Sequence, residues 1–509
     1  MNITDPIVRQ CVYRPDALAL IENGEETTYR QLLHRVVASM EHLRAAGVQR
    51  HQHVALDVDL NAAAIVVILA LLRMGASVSI VRSTYSLAER NALMKRHEVA
   101  YIVHSSVPGW CTPDPTLPSF TSLLLKDVTA DPSVGPMESM AAIDAHHDAS
   151  DDICLISTTS GTTGIKKSVA LTHAEFFNRL GLDQKLWLKE SGRIYLAINL
   201  ETSLAKTLMI RTLSTGNALI IASGRDPVGF FDVVNRDRPT RIVTGTGVIP
   251  LLIESERHHP QRARLHAPTA AAITVTGSEI PVAQLQWMMT RLGPNVQVQL
   301  GSTEASQTGF VDAATIMGDP SISSVLLPWV CMEALDDHGH VLPAGQEGLL
   351  RIKSPSMARE YFRDPQATAQ SFRDGWFHPG DIGAVDTAGR IRMSGRFSSL
   401  INMGGNKINP LLIERLLNRI PAILECAVIA ASPNDMARSV LTAVVVPRFA
   451  VDKDQLTQQI RNACASDLGA EYVPSAVAFS SALPRNSGGK VMVDELQRSM
   501  AAALASRNG

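Results

Sequence analysis

The sequence has little of what marks a secreted, membrane-spanning or nucleic-acid-binding chain. It holds 6 cysteines in 509 residues: Cys11, Cys111, Cys154, Cys331, Cys426 and Cys464, all far apart with no Cys-x-x-Cys. That pattern excludes a disulfide framework and a thiolate zinc site, and it suits a reducing compartment. No basic segment followed by an apolar one opens the chain, so no signal peptide is expected. The longest apolar run, residues 62–72, is 11 residues. A bilayer needs ~20, so this run is expected to be a buried helix and no membrane span is expected. Net charge is -2, which provides no polybasic surface for nucleic acid. Internal repeats and low-complexity tracts are absent as well. The expected setting is the cytoplasm.

What is present is a long chain of ordinary globular composition, 45% hydrophobic and 19% charged. Its length exceeds one core, so two or more domains are expected. Thr28-Tyr29 opens a helix towards Gly47, Val54 to Val58 is a strand, a helix runs from Asn61 to near Gly75, and Ser77 to Val81 is the next strand. Such alternation predicts an α/β sheet with right-handed crossovers. Residues 107–150, rich in Pro, Ser, Asp and His, are expected to be a surface connection. Further strands are expected at Ala218 to Ile221, Arg241 to Thr244, Ala271 to Val275 and Val296 to Leu300. From 325 to 400 the pieces are short and glycine-containing, which predicts a β-rich subdomain; a helix is expected near the end of the chain.

Several polar segments stand out. Between two apolar strands lies Thr158-Thr159-Ser160-Gly161-Thr162-Thr163-Gly164-Ile165-Lys166-Lys167-Ser168. Glycines let the backbone approach a ligand, and hydroxyls with free N–H groups make donors for an anion such as phosphate. A polar hairpin turn is the plain alternative. A P-loop fails, because the glycine it requires after Gly161 falls on Lys166. Gly301-Ser302-Thr303-Glu304 follows a strand and places a carboxylate at a strand's C-terminal end, where ligands of open α/β sheets gather. A surface turn with a capping glutamate is the alternative there. Asp374 to Asp381, then Gly395-Arg396, Gly404-Gly405 and Gly488-Gly489-Lys490 follow in order. Taken alone, each of these is a common turn or a solvated end.

Taken together, their order resembles the adenylate-forming superfamily of acyl-CoA synthetases, peptide-synthetase adenylation domains and luciferases. The superfamily loop Thr-Ser-Gly-Thr-Thr-Gly-x-Pro-Lys-Gly is matched from Thr159, with Lys166 in place of proline and Ser168 in place of the last glycine. Tyr-Gly-x-Thr-Glu is matched with Leu300 in place of tyrosine, and Gly-Trp-x-x-Thr-Gly-Asp with Pro379 in place of threonine. The resemblance implies a large N-terminal domain of stacked α/β subdomains plus a β-rich subdomain, residues 1–396, and a small mobile α+β C-terminal domain, residues 397–509. It implies ATP phosphates held by Thr159, Ser160, Gly161, Thr162, Thr163, Gly164 and Lys167, with Gly301 and Ser302 nearby. Thr303 becomes a phosphate contact, Glu304 a Mg²⁺ ligand, and Asp381 and Arg396 ribose or phosphate contacts. Ser398 stands at the hinge, Gly404 and Gly405 line a thiol tunnel, and Lys490 is the catalytic cation. Glu201, Gly245, Thr246, Gly277 and Ser278 are expected at the acyl pocket; for Glu201 a surface glutamate is the alternative. The implied activity is conversion of a small carboxylic acid to an acyl-adenylate, then to a thioester of coenzyme A. A stand-alone enzyme loading a phosphopantetheinyl carrier protein, and a degenerate nucleotide binder, stay open.

Overall fold

The computed structural model describes residues 1–105, 119–129, 149–159, 166–187, 192–222, 227–266, 271–403, 406–431, 440–485 and 491–505. Ser160 to Gly164, Gly404, Gly405 and Lys490 lie outside them. Two sheets carry the large domain. Among the described residues, the smaller runs Thr121–Leu124, Val99–His104, His53–Asp57, Ser77–Ile80, Ile153–Thr158, Ser168–Thr172. Its strands are parallel except for the last, which folds back antiparallel on Ile153–Thr158. The larger sheet has a parallel centre of Ala218–Ile221, Arg193–Ala197, Arg241–Gly245, Ala272–Thr276 and Val296–Ser302. Beyond Val296–Ser302 it becomes antiparallel and extends into the short strands up to Arg396. The molecule is thus mixed α/β, with a β-rich part continuous with the parallel sheet.

The apolar run is the helix Ala62–Arg73, in which every residue from Ala64 to Leu72 is buried. A helix that is hydrophobic all round needs partners all round. It shares one core with Leu56, Val78 and Leu155 of the first sheet and Leu219, Ile221 and Val243 of the second. Asn61 starts it, its Oδ1 accepting from Ala64 N at 2.7 Å, as an N-cap should. Truncating the fully buried Ile68 to alanine costs about 2–5 kcal/mol, because the surrounding helix and sheets cannot collapse onto the gap.

The expected helix at Thr28 is Tyr29–Ala45, closed by a reciprocal capping box with Gln31. The stretch expected to be only a surface connection needs correction. Thr121–Leu124 pairs with Val99–His104 and extends the smaller sheet. Four residues at an edge, two of them exposed, carry too little apolar alternation to announce a strand. The expected late helix is Val493–Ala505. The smaller domain has a hairpin, Ile401–Met403 with Asn406–Ile408, and a three-stranded sheet of Ile423–Ala431, Val440–Pro447 and Ala476–Phe479. It meets the large domain through Arg415, whose Nε and Nη2 donate to the two carboxylate oxygens of Glu279 at 2.7 and 2.8 Å. Among the described residues no helix is long and apolar enough to cross a membrane.

Candidate active site

The antiparallel pair Ile153–Thr158/Ser168–Thr172 brings together the two ends of the polar segment 158–168. Thr158 faces Ser168 across the pair, and Thr159 N donates to Lys167 O at 2.8 Å. Lys167 leaves this stem with its Nζ 4.6 Å from the centre of the Tyr361 ring. The Tyr361 hydroxyl donates to Glu304 Oε1 at 2.8 Å. Three groups from distant parts of the chain therefore meet in one cluster.

Glu304 sits on the turn joining Val296–Ser302 to Ser306–Asp312. The turn is tight: Ser306 has φ +61, and a Cβ on Gly301 would lie 2.5 Å from Ser306 O. Glycine at 301 is required by the close strand pairing, whatever else it does. Ser302 Oγ accepts from Ala305 N at 3.0 Å. The main chain of Glu304 is held from behind, its carbonyl accepting from Ala358 N at 2.7 Å and from Arg179 at 3.4 Å. Arg179, almost fully buried, also donates to Ser356 O at 2.8 Å. The glutamate is therefore fixed by its backbone as well as by its side chain.

Asp381 and Arg396 are directly opposite on neighbouring antiparallel strands, and Arg396 Nε donates to Asp381 Oδ1 at 2.6 Å. Burial alone would lower the Arg396 guanidinium. The Asp381 carboxylate, by its charge and its hydrogen bond, and the charge of Glu304 outweigh it and hold it above its ordinary value. Burial, with the Glu304 carboxylate beside it, pushes the Tyr361 phenol up, so it stays a donor at any working pH. Carboxylates and cations alternate here, which suits a phosphorylated ligand that replaces one set of partners with another.

The residues expected at the acyl pocket, Glu201 aside, lie at or just past the ends of two parallel strands, Arg241–Gly245 and Ala272–Thr276. Thr246 and Ser278 hydroxyls are 2.8 Å apart, and Thr246 N donates to Thr276 O at 2.9 Å. Gly277 has φ +126, a conformation that disfavours any side chain. A Cβ on Gly245 would meet nothing nearer than Thr276 O at 3.9 Å, so the space in front of it is open. Glu201 is not the surface glutamate that was the alternative. Its side chain is 13% exposed, with Arg82 Nε 3.6 Å away and the Tyr85 hydroxyl donating to it at 2.9 Å. Its carbonyl accepts from Lys206 Nζ at 2.9 Å, and burial lowers that lysine to about 7. The buried Lys206 amine, which also donates to Leu200 O, thus pins the loop that carries Glu201.

One cleft takes lining from Thr159, Glu201, Gly245, Thr246, Gly277, Ser278, Gly301, Ser302, Thr303, Glu304, Asp381, Arg396 and Ser398. Lys166 lines it too, whereas Lys167 does not and is tied to it only through Tyr361, whose hydroxyl donates to the lining Glu304. From the smaller domain, Asn402, Arg485, Val491 and Met492 line the same cleft, and Arg485 bridges to Val491 across the segment containing Lys490. Ser398 lies in the short turn Phe397–Ser399 directly after Arg396. Sequence reasoning missed Tyr361 and Arg179. Neither stands in a glycine-rich or polar segment, so only their tertiary placement reveals them.

A two-domain α/β chain that gathers alternating charges at strand ends, with an open pocket alongside, has the architecture of an enzyme acting on small polar ligands. Residues 7–362 match the family model described as AMP-binding enzyme, and residues 412–490 the one described as AMP-binding enzyme C-terminal domain. The chain belongs to the AMP-binding enzyme family, the adenylate-forming superfamily, and is an AMP-forming ligase of the acyl-CoA synthetase type. It is 28% identical over 501 residues to a feruloyl-CoA synthase of Amycolatopsis sp, covering 96% of this chain and 97% of that one. It is 26% identical over 494 residues to a 2-succinylbenzoate–CoA ligase of Bacillus cereus, covering 97% and 98%. In fold it is similar to an amide bond synthetase from Marinactinospora thermotolerans, with TM-score 0.82 at 21% identity over 98% of this chain and 99% of that one.

Proposed function

We propose that this chain converts an aryl or similarly bulky carboxylic acid to its coenzyme A thioester in two half-reactions. A carboxylate oxygen attacks the α-phosphorus of ATP, the bond to pyrophosphate breaks, and an acyl-adenylate forms. The thiol then attacks the acyl carbonyl, AMP leaves, and the thiol proton passes to solvent. The chemistry needs positioning, charge and exclusion of water rather than an enzyme nucleophile. The convergence of Lys167, Tyr361, Glu304, Arg396 and Asp381 beside the open pocket at Gly245 carries this reading.

In it, Lys167, Thr303 and the glycine-rich loop hold phosphates, Asp381 and Arg396 hold ribose or phosphate, and residues 1–396 form the core. Residues 397–509 turn about Ser398, exchanging Lys490 for the Gly404-Gly405 loop between the half-reactions. Mg²⁺ fits as a companion of the nucleotide. Among the described residues no group of three or more His, Cys, Asp or Glu forms a metal cage. A single carboxylate, Glu304, suits an ion that keeps water and phosphate oxygens as its other ligands. Bound there, it would neutralise phosphate charge. The aromatic acids in the names of the two CoA ligases given above favour a planar substrate, and the open face of Gly245 provides the room. A reducing cytoplasm suits the free cysteines at 11, 154, 331, 426 and 464.

The test is pyrophosphate release from ATP with a panel of aryl and aliphatic acids, followed by product mass with CoA or a phosphopantetheinyl carrier protein. A CoA thioester of an aryl acid is expected. Acylation of the carrier alone would replace CoA as acceptor. ATP binding without acid-dependent pyrophosphate release by any acid would overturn the reading in favour of a nucleotide-binding member without turnover. Gly245→Leu should lower kcat/KM for an aryl acid by roughly tenfold or more through overfilling, while propionate changes by less than about threefold. Equal losses for both acids would place Gly245 outside the acyl pocket.

A further inference from the structure

Lys166 and Ser168 stand where the superfamily loop has proline and glycine, and both find partners at one helix, Leu87–His97. Lys166 Nζ is 3.4 Å from Glu89 Oε1 and 3.2 Å from the centre of the Tyr85 ring, just ahead of that helix. The Lys166 carbonyl accepts from Arg96 Nη1 at 2.8 Å. Ser168 is wholly buried, and its Oγ lies 2.8 Å from His97 Nε2. Lys167 is therefore the middle residue of three whose neighbours are gripped by the same helix. The other side is held too: Phe362 N donates to Ser168 O at 2.7 Å, next to the Tyr361 on which Lys167 rests.

The helix is itself anchored. His97 Nδ1 lies 3.3 Å from Ser79 Oγ. His53 Nε2 lies 2.8 Å from the same oxygen, and its Nδ1 is 2.8 Å from Ser77 Oγ. Those residues belong to the central strands His53–Asp57 and Ser77–Ile80. Burial, aided by Arg96, lowers His97 to about 3, and burial holds His53 well below its ordinary value. Both rings are neutral, so the network keeps one pattern of hydrogen bonds across the physiological range. Burial also lowers the Lys166 ammonium, against the pull of Glu89 and Glu201.

Proline and glycine shape a loop through backbone restriction and freedom. This chain has neither residue at these two places. We propose that the helix Leu87–His97 is a brace that positions Lys167 for the nucleotide phosphates, with Glu89 and His97 as its positioning residues. Glu89 compensates the charge of Lys166 and fixes its long side chain, and His97 fixes the buried hydroxyl on the far side. The proposal rests on Lys167 being a phosphate contact.

The test is ATP binding by isothermal titration calorimetry on the full chain, which needs no knowledge of the acid. Glu89→Gln, Lys166→Ala and Ser168→Ala are each expected to weaken ATP binding roughly three- to tenfold. Lys166→Ala combined with Glu89→Gln should be no worse than either alone, because the two residues make one contact. Lys166→Arg should retain affinity, and the exchanged pair Lys166→Glu with Glu89→Lys should recover it to within about threefold of wild type. Additive losses, or a loss at Lys166 with none at Glu89, would overturn the brace and make Lys166 itself a phosphate ligand. Should Ser168→Ala unfold, as its melting curve reports, the Glu89–Lys166 cycle still decides. A wild-type chain that binds no ATP would sink the nucleotide role of Lys167 and the brace with it. Normal binding with unaffected variants would sink the brace alone.

Discussion

Glu304→Gln is expected to lower acid-dependent pyrophosphate release by about 10²–10³-fold while the protein stays folded. The substitution keeps the shape and the acceptor facing Tyr361, and it removes the negative charge. If Glu304 holds the ion that accompanies the phosphates, the loss falls on the transition state, where stabilisation of developing charge is worth several kcal/mol. The variant should also need more Mg²⁺ to reach half its maximal rate. Tyr361→Phe is the companion experiment. It leaves the carboxylate in place without its donor, and a hydrogen bond to a charged group is worth about 1.5–3 kcal/mol, so a tenfold or greater loss is expected. Both are measured by pyrophosphate release, with melting temperature as the folding control. A Glu304→Gln enzyme within about threefold of wild type would remove the carboxylate from the chemistry.

The second large effect is expected at Lys490. In the function proposed above, its place after Gly488-Gly489 and its match to the superfamily's C-terminal motif assign it one task, stabilising charge as the carboxylate attacks phosphorus. Lys490→Ala should therefore lower adenylate formation by about 10²–10³-fold. Transfer from a preformed acyl-adenylate to the thiol should be unchanged within about threefold. Supplying that adenylate chemically separates the two steps. Equal loss in both would mean that the lysine serves the cleft as a whole and not the first half-reaction.

Much of the architecture was legible because it depends on local pattern. Residues 62–72 announced a buried helix by having no polar face, and Thr28 with Gln31 announced a helix start. Glu304, Asp381 and Arg396 drew attention because polar residues at strand ends have no core to serve. Partnership was far less legible. That Asp381 faces Arg396 depends on a register shift between Ile382 and Gly383 inside their hairpin, and a one-residue slip would send one of the two side chains to the other face. Tyr361 and Arg179 act on Glu304 from 57 and 125 positions away, and nothing in their own neighbourhoods marks them. Lys166 and Ser168 weakened the match to the superfamily loop when seen alone. Their partners Glu89 and His97 lie about 70 residues earlier, at 77 and 71 positions' separation, so the substitutions make sense only once the sheet has brought that helix alongside.

The clamp between Arg415 and Glu279 ties two things that are usually considered separately. Glu279 follows directly on Gly277 and Ser278, so the rim of the proposed acyl pocket is the same strip of backbone on which the smaller domain is fastened. Bulk that pushes this rim outward must also stretch a two-pronged ion pair. In the function proposed above, fit of the acid and seating of the smaller domain would then be one mechanical variable, and a change in what the pocket admits would alter how readily that domain lets go.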